Sequence, residues 1–186
     1  MNKKVLELIE KLKSCDDKVR HNAITDIGFI LEMYSLKLSR DERFEQFEGM
    51  LSPDLIELFL DETELSEIVA YLQEEIEAKN KDTGSLASAI GYTSAKTGLL
   101  PLAKAIKNSI ENLNLDELNQ GLIALEKLLF FDDSLSDAEK KEIVRKNELM
   151  SKISTKIISE TPVSHNYLLE TYTGLISRLV LFFFDV

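Results

Sequence analysis

Between positions 65 and 76 the large apolar side chains fall at Leu65, Ile68, Val69, Leu72 and Ile76. That helical spacing recurs along nearly the whole chain. No segment alternates convincingly with a two-residue period, and only three prolines and seven glycines interrupt the pattern. The expectation is an all-α chain. Asp16 or Asp17 can cap a helix running to Leu38, and Ser52-Pro53 places a cap before a proline at the first helical position. Asp61 and Glu64 have the spacing of a capping box, with Asp in place of Ser or Thr. Residues 80–84 read as a loop, and further helices are expected over 85–96, 99–113, 116–131, 136–159 and 162–184. The total is about ten helices in one domain covering 1–186. Val19, Ala23, Ile27, Leu65, Val69, Leu72, Ile90, Leu102, Ile106, Leu122, Leu125 and Leu129 carry the apolar period and are expected to form a continuous core.

Charge is distributed unevenly along this pattern. Between Arg43 and Lys79 stand eleven acidic residues and no Lys, Arg or His. Residues 1–93 carry 11 Lys+Arg against 20 Asp+Glu, so they hold −9 of the net −11, whereas residues 94–186 carry 11 against 13. Such a field repels phosphate backbones and anionic lipid, which disfavours nucleic acid and membrane surfaces as partners. It steers basic proteins inward instead. A run of like charges is also the ordinary signature of a solvated face.

With 44% hydrophobic and 30% charged residues in 186, the chain can bury a core without disulfide or metal support. The single Cys15 excludes an intramolecular disulfide and points to a reducing compartment. Residues 1–10 begin like a signal peptide, but Glu7 and Glu10 break any apolar run, so a cytoplasmic amphipathic helix is expected. The run from Leu179 to Phe184 is far shorter than the ~18 residues of a membrane span. It is expected to close the core as a C-terminal helix, or else to make a weak homodimer contact with the chain otherwise a monomer.

Two segments carry a resemblance. Asp17-Lys18-Val19-Arg20-His21-Asn22-Ala23-Ile24 resembles the start of the first helix of a HEAT-type repeat, with an acidic cap before Val-Arg and a small residue at helical spacing. Ala89-Ile90-Gly91, followed by Leu99-Leu100-Pro101-Leu102-Ala103-Lys104-Ala105-Ile106, resembles the turn into the proline-containing second helix of such a repeat. Ile27-Gly28 and Ile90-Gly91 lie 63 positions apart, about two short repeats. The resemblance implies a HEAT-like α-solenoid, a right-handed stack of antiparallel helical pairs. The Asp-Pro turn usual in these repeats is absent near Ala95-Lys96, and residues 41–60 match in helix content only. Ala87, Ala89, Gly91, Ala103 and Ala105 are small enough to let stacked helices approach closely.

No residue pattern marks a reaction. His21 and His165 sit in separate expected helices without ligand spacing, and Cys15 beside Asp16 and Asp17 is poorly placed for thiolate chemistry. Residues 91–97 imitate a phosphate loop but lack the glycine before the lysine and follow no strand. No catalytic residue, metal or cofactor is assigned. The candidate site is instead a partner-binding face: Glu57, Asp61, Glu64, Glu67, Tyr71 and Glu74, with Glu67, Tyr71 and Glu74 on one line of a helix. Tyrosine flanked by carboxylates suits a contact with Lys and Arg of a basic protein, although the same tyrosine could simply edge the core. Small size, acidity and HEAT-like helices together resemble bacterial immunity proteins, which implies neutralisation of a basic toxin domain by occlusion. A housekeeping scaffold or adaptor is the alternative reading, and an enzyme or a DNA-binding HEAT-like protein fits less well because it needs a basic groove or a reactive group.

Overall fold

The computed structural model describes residues 3–44, 60–78, 81–160, 172–175, 177, 178 and 181, and all regular structure among them is helical. In chain order the helices are α1 (Lys3–Leu12), α2 (Asp17–Ser39), α3 (Glu62–Glu77), α4 (Thr83–Gly91), α5 (Ala95–Ser109), α6 (Leu115–Phe130), α7 (Asp137–Lys146) and α8 (Leu149–Glu160). Residues 172–175, 177, 178 and 181 are helical as well. The expected cap at Ser52-Pro53 lies outside the described residues.

Local chemistry sets several boundaries as expected. Asp16 caps α2, its Oδ1 accepting from the Lys18 and Val19 amides at 2.8 and 3.1 Å. Asp61 and Glu64 close the expected capping box on α3. The structure adds two further boxes, Asn114 with Glu117 on α6 and Ser136 with Glu139 on α7. Other boundaries differ. Thr83 and Gly84 belong to α4 rather than to a loop, and α5 begins at Ala95, one turn before Leu99. Ser94 caps that extra turn, while two residues from the α6–α7 connection reach its free amides: Asp132 Oδ1 accepts from Ala95 N at 2.8 Å and Ser134 Oγ from Lys96 N at 2.9 Å. Pro101 is thereby placed inside the helix. The long helix expected over 136–159 is divided by Asn147 and Glu148, the latter in the left-handed region at φ 53°.

The helices touch in two rows. α1 packs on α2, α2 on α4 and α4 on α6; in the other row α3 packs on α5, and α5 meets α7 and α8. α4 also meets α3 and α5, so it lies at the centre. Its sequence, Thr-Gly-Ser-Leu-Ala-Ser-Ala-Ile-Gly, explains why: seven of its nine residues are buried, and small side chains let neighbours close in from several sides. A Cβ on Gly28 would stand 3.2 Å from the Tyr92 ring and 3.8 Å from Ala89 Cα. One on Gly91 would stand 2.6 Å from Ala124 Cβ.

Eleven of the twelve expected core residues are buried, the exception being Val19 at 38% exposure. The inward position of the first turn of α2 is taken by Arg20, which leaves Val19 open at the end of the row. The Arg20 guanidinium donates to Asp82 through Nε, to Asp17 Oδ1 at 2.7 Å and to the Ser14 carbonyl at 3.0 Å. It thus joins the α1–α2 turn to the entry of α4. Two buried lysines work similarly at helix C-termini, where backbone carbonyls lack partners. Lys140 donates to the Asp132 carbonyl beyond α6, and Lys156 to the Glu111 carbonyl beyond α5 at 3.2 Å. Of the Leu179-to-Phe184 run only Leu181 is among the described residues, and it is 56% exposed. No helix among the described residues is long and apolar enough to cross a membrane.

Candidate functional site on the acidic helix

α3 presents the acidic segment. Its buried stripe is Leu65, Ile68, Val69, Leu72 and Ile76, as the apolar spacing requires, and it packs mainly on α5 and α4. The carboxylates divide by position. Asp61 and Glu64 are occupied by the capping box, Asp61 Oδ1 accepting from Glu64 N at 2.8 Å and Glu64 Oε2 from Asp61 N at 3.3 Å. Glu62 forms an ion pair with Lys96 of α5. Glu77 accepts from Gln73 at 2.8 Å and from Asn108 at 3.1 Å. Glu67 and Glu74 are exposed and make no ion pair among the described residues. Glu57 lies outside them.

Tyr71 is only partly open. Its ring packs against the core and its hydroxyl is enclosed. Burial pushes the phenol up to about 12, with the Glu75, Glu10 and Glu74 carboxylates adding to the effect. The exposed line through the centre of the helix is therefore Glu67, Ala70 and Glu74, with Tyr71 supporting it from the side. Glu10 arrives from α1 and Glu75 from the neighbouring turn. Nothing in the chain marks position 10 as adjacent to position 71, whereas Glu75 stands four residues from Tyr71 and helical spacing alone could have placed it there.

Tyr34, buried in α2, is also pushed up to about 12 by burial, with Glu64 adding. Both phenols stay protonated in the folded chain while their unfolded counterparts ionise near the ordinary value of about 10. Above that value the unfolded state binds fewer protons, so stability falls as pH rises from about 10 towards about 12. By pH ~11 the loss should reach about 1 kcal/mol per tyrosine. Urea unfolding at pH 9 and pH 11, followed alongside phenolate absorbance, checks this. The Tyr34→Phe, Tyr71→Phe double variant should flatten the decline.

A second surface belongs to the other row. Phe29 of α2 and Tyr92 after α4 are 46% and 44% exposed and border a groove of about 170 Å³ between the two helices. Lys127 of α6 lies over the Tyr92 ring, 4.4 Å from its centre, and reaches Glu32 of α2 at 3.4 Å. Among the described residues no group of three or more His, Cys, Asp and Glu side chains is arranged to hold a metal ion. Comparison with known proteins finds no matching family model, no matching curated protein and no matching solved structure.

Proposed function

We propose that the chain is a protein-binding module that offers the exposed line of α3 to a basic protein, acting as an immunity protein that occludes a toxin domain. One observation carries this reading. Glu74, Glu75 and Glu77 crowd the C-terminal end of α3, and its last turn holds no basic residue. The negative end of a helix dipole disfavours carboxylates. Gln73 and Asn108 donate to Glu77 and so offset that cost there, but the exposed Glu74 has no ion pair among the described residues that would do so. A cationic partner would, since it would meet Glu67 and Glu74 together and gain from the dipole as well.

The scaffold for that face is read as a HEAT-like stack of helical pairs. In support, α2, α4 and α6 contact in succession, and α3 and α5 form the parallel row. Gly28 and Gly91, the two glycines of the 63-residue offset, each stand where an added Cβ would meet the next helix of their row or the residue that follows it. On this reading the offset relates direct neighbours rather than next-but-one repeats. An adaptor role is the second reading, favoured by the exposed Phe29 and Tyr92 on the opposite row, which offer a separate contact surface.

The test compares the wild-type chain with its Glu67→Lys, Glu74→Lys variant as baits in native lysate, with the shared and lost preys identified by mass spectrometry. The expected result is a basic prey lost from the variant, whose activity the wild-type chain inhibits. With purified prey the reversal should slow association by about tenfold or more and flatten its salt dependence. Folding should be almost unchanged, because both side chains are exposed. An acidic prey, or equal capture by both baits, would overturn the assignment of this face. A prey that binds but is not inhibited would favour the adaptor.

A further inference from the structure

Away from the exposed line of α3, a cleft of about 360 Å³ opens between the α1–α2 turn, the last turns of α3 and the side of α4. Small-molecule sites occupy about 300–1,000 Å³. Its apolar lining comes from Leu12, Ile24 and Leu86, all buried. Its lining is richer in cations than the surrounding chain. Lys13, Arg20 and Lys81 stand beside one carboxylate, Glu75, in a half of the molecule where acids outnumber bases by 20 to 11. Glu10, Asp17 and Asp82 pair with those cations from outside the lining.

The three cations differ in mobility. Arg20, with its side chain only 9% exposed, is fixed by Asp17, Asp82 and the Ser14 carbonyl, so its planar charge is already in place. Lys13 and Lys81 are 59% and 73% exposed and hold Glu10 and Asp17 at 3.4 and 3.7 Å. Exposed pairs of that kind contribute little, so both ammonium groups can turn to the mouth of the cleft at small cost.

We propose that this cleft binds a small free carboxylate with a short apolar body. The carboxylate meets Lys13, Lys81 and the field of Arg20, while the body lies on Leu12, Ile24 and Leu86. At roughly 30 Å³ per water-sized group the space holds roughly a dozen such groups. A single negative charge fits better than two, because Asp17 and Asp82 stand behind Arg20 and Glu75 lines the wall. This site uses neither Glu67 nor Glu74, the residues proposed for the protein contact, and takes only Glu75 from the C-terminal end of α3.

Cys15 is the chain's one cysteine, is exposed and lines the same cleft, so its alkylation rate reports occupancy without engineering. Iodoacetamide labelling of the full chain would be followed by mass spectrometry in the presence of hexanoate, hexanol, hexylammonium or inorganic phosphate. Hexanoate is expected to slow labelling saturably, reaching about tenfold at ten times its Kd, while the other three protect far less. Lys13→Gln with Lys81→Gln should raise the hexanoate Kd and leave the weak effect of hexanol unchanged. Leu86→Trp, if folded, should abolish protection by filling the space. Equal protection by hexanol or by phosphate, or none from hexanoate up to its solubility limit, would overturn the proposal.

Discussion

Leu99→Ala is expected to destabilise the fold by about 2–5 kcal/mol, the range for emptying a buried leucine site. Leu100→Ala, one residue on, should change stability by less than about 0.5 kcal/mol. The contrast arises because Leu99 is fully buried in α5 whereas Leu100 is 41% exposed. Leu99 shares the inward face with Leu102, Ala103 and Ile106, so the pair tests the rotation of α5 against its neighbours. Urea unfolding of the two variants measures both effects. Similar midpoints would mean that the helix is rotated relative to this packing.

Gly91→Ala should also be strongly destabilising, by about 1–3 kcal/mol, even though alanine is intrinsically the better helix former by about 1 kcal/mol. The new methyl would lie 2.6 Å from Ala124 Cβ and 2.9 Å from Ala124 Cα, against about 3.5–4.0 Å for an ordinary carbon contact. Neither obstacle is a flexible side-chain tip, so α4 and α6 must move apart. Adding Ala124→Gly removes one of the two obstructing atoms. The double variant should therefore be less destabilised than the sum of the single changes, a coupling characteristic of residues in direct contact. An unchanged urea midpoint for Gly91→Ala would show that the helices do not approach this closely.

What could be read from the sequence was what neighbouring residues determine. The Asp61–Glu64 box, the Asp16 cap and the buried stripe of α3 depend on residues within one or two turns of each other, and each stands as its spacing implies. The start of α5 carries a local signal in the Ser94 cap, but two of its other amides are satisfied by Asp132 and Ser134, 37 and 38 residues along the chain, which no spacing shows. Val19 satisfies the apolar period yet remains open, since periodicity identifies a face but not how far the neighbouring helices extend. The break at Asn147 and Glu148 carries neither glycine nor proline. There the Asn147 side chain donates to the Ile143 carbonyl at 2.8 Å, and Glu148 follows in the left-handed region. On the candidate face the acidity was evident, but the allocation of carboxylates only in part. The capping pair Asp61 and Glu64 was readable, but which carboxylate pairs with Lys96 depends on α5, and α1 brings Glu10 to Tyr71.

Lys127 reaches past the short end of α4 to Glu32, so the outer two members of the α2–α4–α6 row are joined directly as well as through the helix between them. As a stability term a single partly exposed ion pair is small. Its geometry acts as a ruler. Inserting a helical pair between α2 and α6 would carry the ammonium out of reach of the carboxylate, and excising α4 with α5 would remove the aromatic ring on which it rests. Across this span a contact reaching over α4 sets the separation of α2 and α6, which contacts between neighbouring helices alone would leave to the helix between them.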